Sequence, residues 1–255
     1  MKSLRPFFYV TLLVAIFCPG NLSAQPYLTE LQSSNLKLPA KLDKVAELVK
    51  KQFEEKKLTW PPQALYIRSF KYDRLLEVWV KDNIRDSFKL FKTYKVCMQS
   101  GTTGPKRSEG DYQVPEGFYY INEFNPNSNY HMSLGLNYPN ASDKILSDAN
   151  HPGGAIYIHG NCVSTGCIAI QDAPIEELFT MAAFVKANGQ DFIPVNVFTV
   201  KYNVQKSVDH LSESFKSNLS INKFILNLKK VYDYFESNRQ LPLILVNKKG
   251  EYLID

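Results

Sequence analysis

Cysteine and histidine are both scarce in this chain, with four of each among 255 residues. No C-x-x-C knuckle occurs and no second His/Cys pair completes a structural zinc set. The twelve glycines never gather into a phosphate-cradling loop. No Lys/Arg stripe with interleaved aromatics runs through the chain and the formal net charge is a mild +5, so nucleic acid is not among the expected partners. There is no internal repeat. The N-terminal apolar run, 7–17, is too short to span a bilayer.

What is present gathers the scarce residues into one stretch, Ile156-Tyr157-Ile158-His159-Gly160-Asn161-Cys162-Val163-Ser164-Thr165-Gly166-Cys167-Ile168-Ala169-Ile170. A β-branched apolar run delivers His159 to a glycine, a polar loop follows, and Gly166-Cys167 opens a second apolar run. Two short strands would bring an imidazole and a thiol side by side. Cysteine catalysis needs that pairing, because the thiolate attacks and a thiol near its ordinary pKa of about 8.5 is mostly protonated at neutral pH. Cys167 is thus the candidate nucleophile and His159 its base. Gly166 leaves the backbone bare beside the sulfur, so the amides of Gly166 and Cys167 are candidates for an oxyanion site. A carbonyl near Gly160 is expected to orient His159, since no acid lies close in sequence. The hydroxyls of Ser164 and Thr165 are candidates to fix the turn, the imidazole or a substrate.

Three other readings fit the same spacing. A structural Cys162–Cys167 disulfide, in a non-catalytic binding module, is the first. Inert buried thiols are a second reading. His159, Cys162 and Cys167 as metal ligands are a third. Cys18 falls within residues 1–24, read below as a secretory signal, so Cys97, Cys162 and Cys167 remain, and an odd count in an exported chain leaves at least one thiol free or paired between molecules. A Cys97–Cys162 bond would spare the nucleophile.

The stretch resembles the active-site signature of L,D-transpeptidases with a YkuD-like catalytic domain, in which a strand ending in His-Gly precedes Ser/Thr-x-Gly-Cys. It is most similar to the YafK-like subgroup of that family: His-Gly, a loop with Cys, then Ser-x-Gly-Cys. Where the commoner form has His immediately before Gly-Cys, this chain has Thr165, so His159 is the sole imidazole candidate. Gly104-Pro105-Lys106 with Gly110-Asp111 and Val114-Pro115-Glu116-Gly117-Phe118-Tyr119 resembles a second family motif. Asn125-Pro126-Asn127-Ser128, the run from Ser133 to Asn140, and the run from Leu228 to Glu236 extend the likeness over about residues 60–255.

The resemblance implies acyl chemistry on peptidoglycan stem peptides at the diaminopimelate centre, through a thioester on Cys167. An amine acceptor makes a transpeptidase; water makes an amidase or endopeptidase, and the subgroup includes members that cut a wall-anchored protein from the stem. A general cysteine peptidase is a further alternative. Lys106 and Arg107 are candidates to read a stem-peptide carboxylate, against the alternative of solvated loop charges. Neither a cofactor nor a metal is implied. The expected setting is periplasmic or otherwise exported and wall-associated, as a monomer that meets a membrane only through its signal peptide.

The expected fold is α+β, mostly β: a catalytic sheet or barrel with flanking helices and a small C-terminal α/β appendage. Residues 1–24 read as a signal, with Lys2 and Arg5, the short apolar run, and Leu22-Ser23-Ala24 before Gln25; an uncleaved anchor is the alternative. Residues 25–59 are a helical leader, its stripe running through Leu42, Val45, Leu48, Val49 and Phe53. The catalytic domain takes 60–200. Strands are expected at 64–70, 75–80, 88–98, 118–121 and 192–200, with a long connection over 122–155 and a helix capped by Asp172. A helix over 215–237 and a hairpin around Asn247-Lys248-Lys249-Gly250 form a subdomain over 201–255.

Overall fold

A computed structural model describes residues 41–216 and 218–254; the signal and the start of the leader lie outside the described residues. Helix α1 is Lys41–Glu55. It presents Leu42, Val49 and Phe53, fully buried, and half-buried Val45 to the core. Leu48, expected on that stripe, is 61 % exposed, because it sits about 100° around the helix from Val49.

Eight strands form one sheet: β1 (Ala64–Phe70), β2 (Leu75–Lys81), β3 (Lys89–Lys95), β4 (Gly117–Asn125), β5 (Ser133–Leu136), β6 (Tyr157–His159), β7 (Ile168–Ala169) and β8 (Pro194–Phe198). Their order is β3-β2-β1-β8-β4-β5-β6-β7. Pairs β1/β8 and β6/β7 are parallel and the others antiparallel. The fold is α+β and mostly β, as expected, with the sheet curled until its two ends meet. Met98, just past β3, bridges Ala169 of β7.

That meeting shortens the third strand, which was expected to reach residue 98. After Lys95 the chain leaves β2: Val96 N–H donates to the Arg74 carbonyl at 2.9 Å and Cys97 N–H to the Ala169 carbonyl at 2.9 Å. The expected connection over 122–155 is likewise ordered. It holds the end of β4, then β5, and then α2 (Ala141–Leu146). Four-residue β5 contains a glycine and gives no periodic signal, while α2 starts from a reciprocal cap between Asn140 and Asp143.

Helix α3 (Asp172–Ala187) packs Ile175, Leu178, Phe179, Met181, Ala182 and Val185 beneath the sheet, all fully buried or nearly so. Its N-cap is Gln171 rather than Asp172, whose carboxylate points elsewhere. The tail holds two helices rather than one, α4 (Gln205–Ser214) and α5 (Leu219–Asn238), the second capped by Asn218. The hairpin is β9 (Ile244–Val246) with β10 (Tyr252–Ile254).

The tail shares a core with the sheet: Leu228, Val231 and Tyr232 of α5 and Tyr252 of β10 close over Phe70 and Phe198. Arg68 of β1 fastens α5, its Nε 2.6 Å from Glu77 and its Nη2 2.6 Å from Glu236. A buried guanidinium is costly unless paired, and here both carboxylates hold it while Trp79 and Phe235 cover its faces.

Candidate active site

Alternation along β6 and β7 sends Ile158 and Ile168 into the core and leaves the opposite face for chemistry. His159 pairs with Ala169, and two steps back along both strands, at the residue just before β7, Tyr157 lies beside Cys167. His159 and Cys167 therefore share one face, offset diagonally across a parallel pair. Register extends that face through Ser133 and Gly135 of β5 to Asn125 and Glu123 of β4. The Tyr157 hydroxyl donates to Glu123 at 3.0 Å.

His159 is buried beneath the ring of Tyr130, whose centroid is 4.9 Å away. Its Nδ1 lies 2.6 Å from the Gly160 carbonyl. Only a protonated Nδ1 donates to a carbonyl, so that contact leaves Nε2 as the basic nitrogen. Burial holds the imidazole pKa below its ordinary value, and the Gly160 contact works weakly the other way. Burial also pushes the Cys167 thiol up, with a smaller opposing effect from the Tyr157 backbone. Both shifts favour the neutral pair. At rest the thiol donates to the Ala155 carbonyl at 3.6 Å, at the end of a tight loop in which Ala155 has φ 54°.

Cys97 and Cys162 are disulfide-bonded, with Cα atoms 5.8 Å apart, and among the described residues Cys167 is the free, half-buried thiol. This corrects the Cys162–Cys167 bond of the binding-module reading and takes Cys162 away from the metal-ligand reading. The bridge and the Met98–Ala169 pairing clamp the loop between β6 and β7 from its outer side.

The expected oxyanion donors are engaged at rest. Ser164 Oγ accepts from Cys167 N–H at 3.0 Å and Gly166 N–H at 3.3 Å, and donates to the Cys167 carbonyl at 2.7 Å. Both amides are thus held by a hydroxyl within their own turn. Gly166 has φ 121°, and a Cβ there would stand 3.4 Å from the Gln113 carbonyl, so the turn demands glycine. Thr165 is exposed.

Lys106 is buried and spent on Asp111 at 2.6 Å and the Ser108 carbonyl at 2.7 Å, which corrects its placement as a substrate reader. Arg107 is half-buried, 3.4 Å from Asp143, and lies over the Phe224 ring. It lines a cleft of about 430 Å³ between the 103–107 loop, α5 and the hairpin. A second cleft, about 540 Å³, runs past Tyr72 and His210. Neither is lined by His159 or Cys167, so shape and chemistry disagree, and chemistry locates the site. Gln113 at the inner end of the first cleft abuts the nucleophile turn. Its loop is anchored by fully buried Glu116, which accepts from Gly104 N–H at 2.6 Å and from Thr199 and pairs with buried Lys71 at 3.2 Å.

Sequence reading missed Tyr130, the Ala155 carbonyl and Asp172. Asp172 Oδ1 accepts from Asn161 N–H at 2.6 Å. None carries a spacing signal, since each reaches the site through a loop. His131 sits between Glu176, at 2.7 Å, and Asp172, at 4.0 Å, and His151 is exposed.

The curled sheet carries a carbonyl-oriented histidine and, among the described residues, an unpaired thiol. The family model for the L,D-transpeptidase catalytic domain, YkuD, matches residues 66–199. The chain belongs to that family, which makes it an L,D-transpeptidase-like, peptidoglycan-modifying enzyme. It is 32 % identical over 208 residues to the Escherichia coli K12 protein named putative L,D-transpeptidase YafK, covering 81 % of this chain and 78 % of that one. Among solved structures it is similar to the helical cell shape determining protein Pgp2 of Campylobacter jejuni (K307A mutant) at 23 % identity and TM-score 0.43, over 65 % of this chain and 58 % of that one. It is also similar to Bdellovibrio bacteriovorus Bd1075 at 21 % identity and TM-score 0.40, over 70 % and 63 %.

Proposed function

We propose that the chain is an exported, wall-associated cysteine enzyme that opens an amide at the diaminopimelate centre of a peptidoglycan stem peptide through a thioester on Cys167. The observation that carries this reading is the His159 Nδ1 contact with the Gly160 carbonyl, which leaves Nε2 basic on the face it shares with the free thiol. Burial keeps both groups neutral at rest, so the thiol must be deprotonated during attack rather than before it.

Cys167 turns from Ala155, His159 Nε2 takes its proton, and the sulfur attacks the amide carbon. The C–N bond breaks as Nε2 returns the proton to the departing amine. An amine or water, deprotonated in turn by Nε2, then attacks the thioester carbon and the thiol leaves. Transfer or hydrolysis follows from the acceptor. For the Gly166 and Cys167 amides to meet the oxyanion, the Ser164 hydroxyl must turn away from them. The half-exposed Arg107 is available to a carboxylate at the far end of the cleft that Gln113 shares.

Intact mass after incubation with a disaccharide-tetrapeptide or a carbapenem tests the reading. A covalent adduct on the parent and none on Cys167→Ala is expected; an adduct on neither sinks it. Adding an amine acceptor and resolving the products then separates transfer from hydrolysis.

A further inference from the structure

The peptide between Gly160 and Asn161 is gripped at both ends. Its carbonyl accepts from His159 Nδ1 at 2.6 Å and its N–H donates to Asp172 Oδ1 at 2.6 Å. An amide that donates to an anion becomes a stronger acceptor at its oxygen, because hydrogen bonds in a chain polarise one another. One carboxylate thereby reaches the imidazole through a single peptide plane. Gly160 permits this closeness, since a Cβ there would stand 2.7 Å from Asp172 Oδ1 and 2.9 Å from the Tyr130 carbonyl.

The other groups around His159 are accounted for. Tyr130 covers the ring at a tilt from the β4–β5 connection; Cys167 immediately precedes β7, the strand paired with β6; Tyr157, bonded to Glu123 of β4, lies two residues back on β6. From α3 come Asp172 itself and Glu176, the latter engaged with His131. His131 Nδ1 faces the second Asp172 oxygen at 4.0 Å. Asp172 is thus the carboxylate joined to the imidazole by continuous hydrogen bonds.

We propose that Asp172 is a positioning residue for His159, acting through the Gly160–Asn161 peptide. It holds that plane in place, fixes the tautomer with Nε2 free, and stabilises the imidazolium formed when Nε2 takes the thiol proton. The Nδ1 proton stays where it is, and no bond is made or broken at Asp172. The inference rests on the reading of His159 as the base.

The test follows the rate of Cys167 acylation against pH in the full mature protein, with His159 titrated by ¹⁵N imidazole NMR. Parent, Asp172→Asn, Asp172→Ala and His159→Gln are compared, the last also assigning the His159 signal. Asp172→Asn keeps an acceptor for Asn161 N–H and loses only charge. It should bind substrate with unchanged KM, acylate about 10-fold more slowly, and lower the His159 pKa, modestly because the Asp172 carboxylate is exposed and one peptide removed. The acidic limb of the rate profile moves to lower pH with it. Asp172→Ala, which also loses the acceptor, should be slower still. Slower acylation with an unmoved His159 pKa, or only a fall in thermal stability, reduces Asp172 to a helix-end residue and overturns the proposal. His159→Gln acylating like the parent overturns the catalytic reading itself, and that result is distinct from the first.

Discussion

Replacing both Cys97 and Cys162 with serine should destabilise the protein by about 2–4 kcal/mol. The bridge joins residues 65 apart in sequence. Closing a loop of that length restricts the unfolded chain by about 4 kcal/mol in the chain-entropy account, and measured effects usually fall below that figure. Cys97 N–H stays bonded to Ala169, Ala169 N–H stays bonded to Met98, and the 5.8 Å Cα spacing is an ordinary one for a bridge. The double variant is needed because either single one leaves a second thiol near Cys167. Urea unfolding in non-reducing buffer is the assay, with the parent's bridge verified by mass. The midpoint should fall by about 1 M for a slope of about 3 kcal/mol/M. The slope should also rise, as the unfolded chain loses its crosslink. An unchanged midpoint with the parent shown to be bridged refutes the reasoning, and so does a parent that carries three free thiols.

Gly160→Ala places a methyl 2.9 Å from the His131 Cβ and the Tyr130 carbonyl, neither of which can swing aside; it should cost about 1–3 kcal/mol by thermal melting and reduce adduct formation in the mass assay. Glu116→Ala leaves the Gly104 amide without its acceptor and buried Lys71 without its counter-charge, held only by the Gly104 and Val114 carbonyls, and a loss of about 3–5 kcal/mol is expected in urea. Burial raises the Asp143 carboxyl to about 6, above its ordinary value. The folded state therefore holds that proton more tightly than the unfolded chain, so its stabilisation is full below pH about 4 and is lost as pH rises through about 6. Asp143→Asn should flatten that part of the stability profile by about 3 kcal/mol or less. His159 has the opposite sign. Its folded pKa is depressed, so its stabilisation is present above the ordinary imidazole value of about 6.5 and is lost as pH falls below it; His159→Gln should remove that acid sensitivity from the melting profile.

How much of this was legible in the sequence depends on how far each contact reaches along the chain. Strand β1 appears where the reading expected it, and the face that His159 takes is legible because the alternation around Ile158 is local information. Gly104 and Glu116 stand out as a motif before anything shows that a buried Lys71, distant in sequence, is what holds them. Strand β5 was illegible for a physical reason: Ser133, Leu134, Gly135 and Leu136 are all buried, so no polar alternation marks them. Leu48 misled for the converse reason, since one residue's rotation on a helix separates core from solvent and the sequence shows only an apolar residue at roughly the right spacing.

The site itself divides in the same way. Cys167 and His159 are visible because their chemistry is in their side chains. The groups that set their behaviour are mostly backbone: the Gly160 carbonyl on Nδ1, the Ala155 carbonyl on the thiol, and two amides already occupied by Ser164. A carbonyl has no letter of its own. The sequence marks it only indirectly, through the glycine that lets another group approach, and Gly160 and Gly166 are both such marks. Asp172 was mistaken for a helix cap because an acid at the start of a helix ordinarily is one. Here the preceding residue, Gln171, takes the cap position with φ 73° and turns the Asp172 carboxylate back toward Asn161. An acid 13 residues after the histidine in sequence thus lies one peptide away from it in space, through a turn that residue spacing alone does not encode.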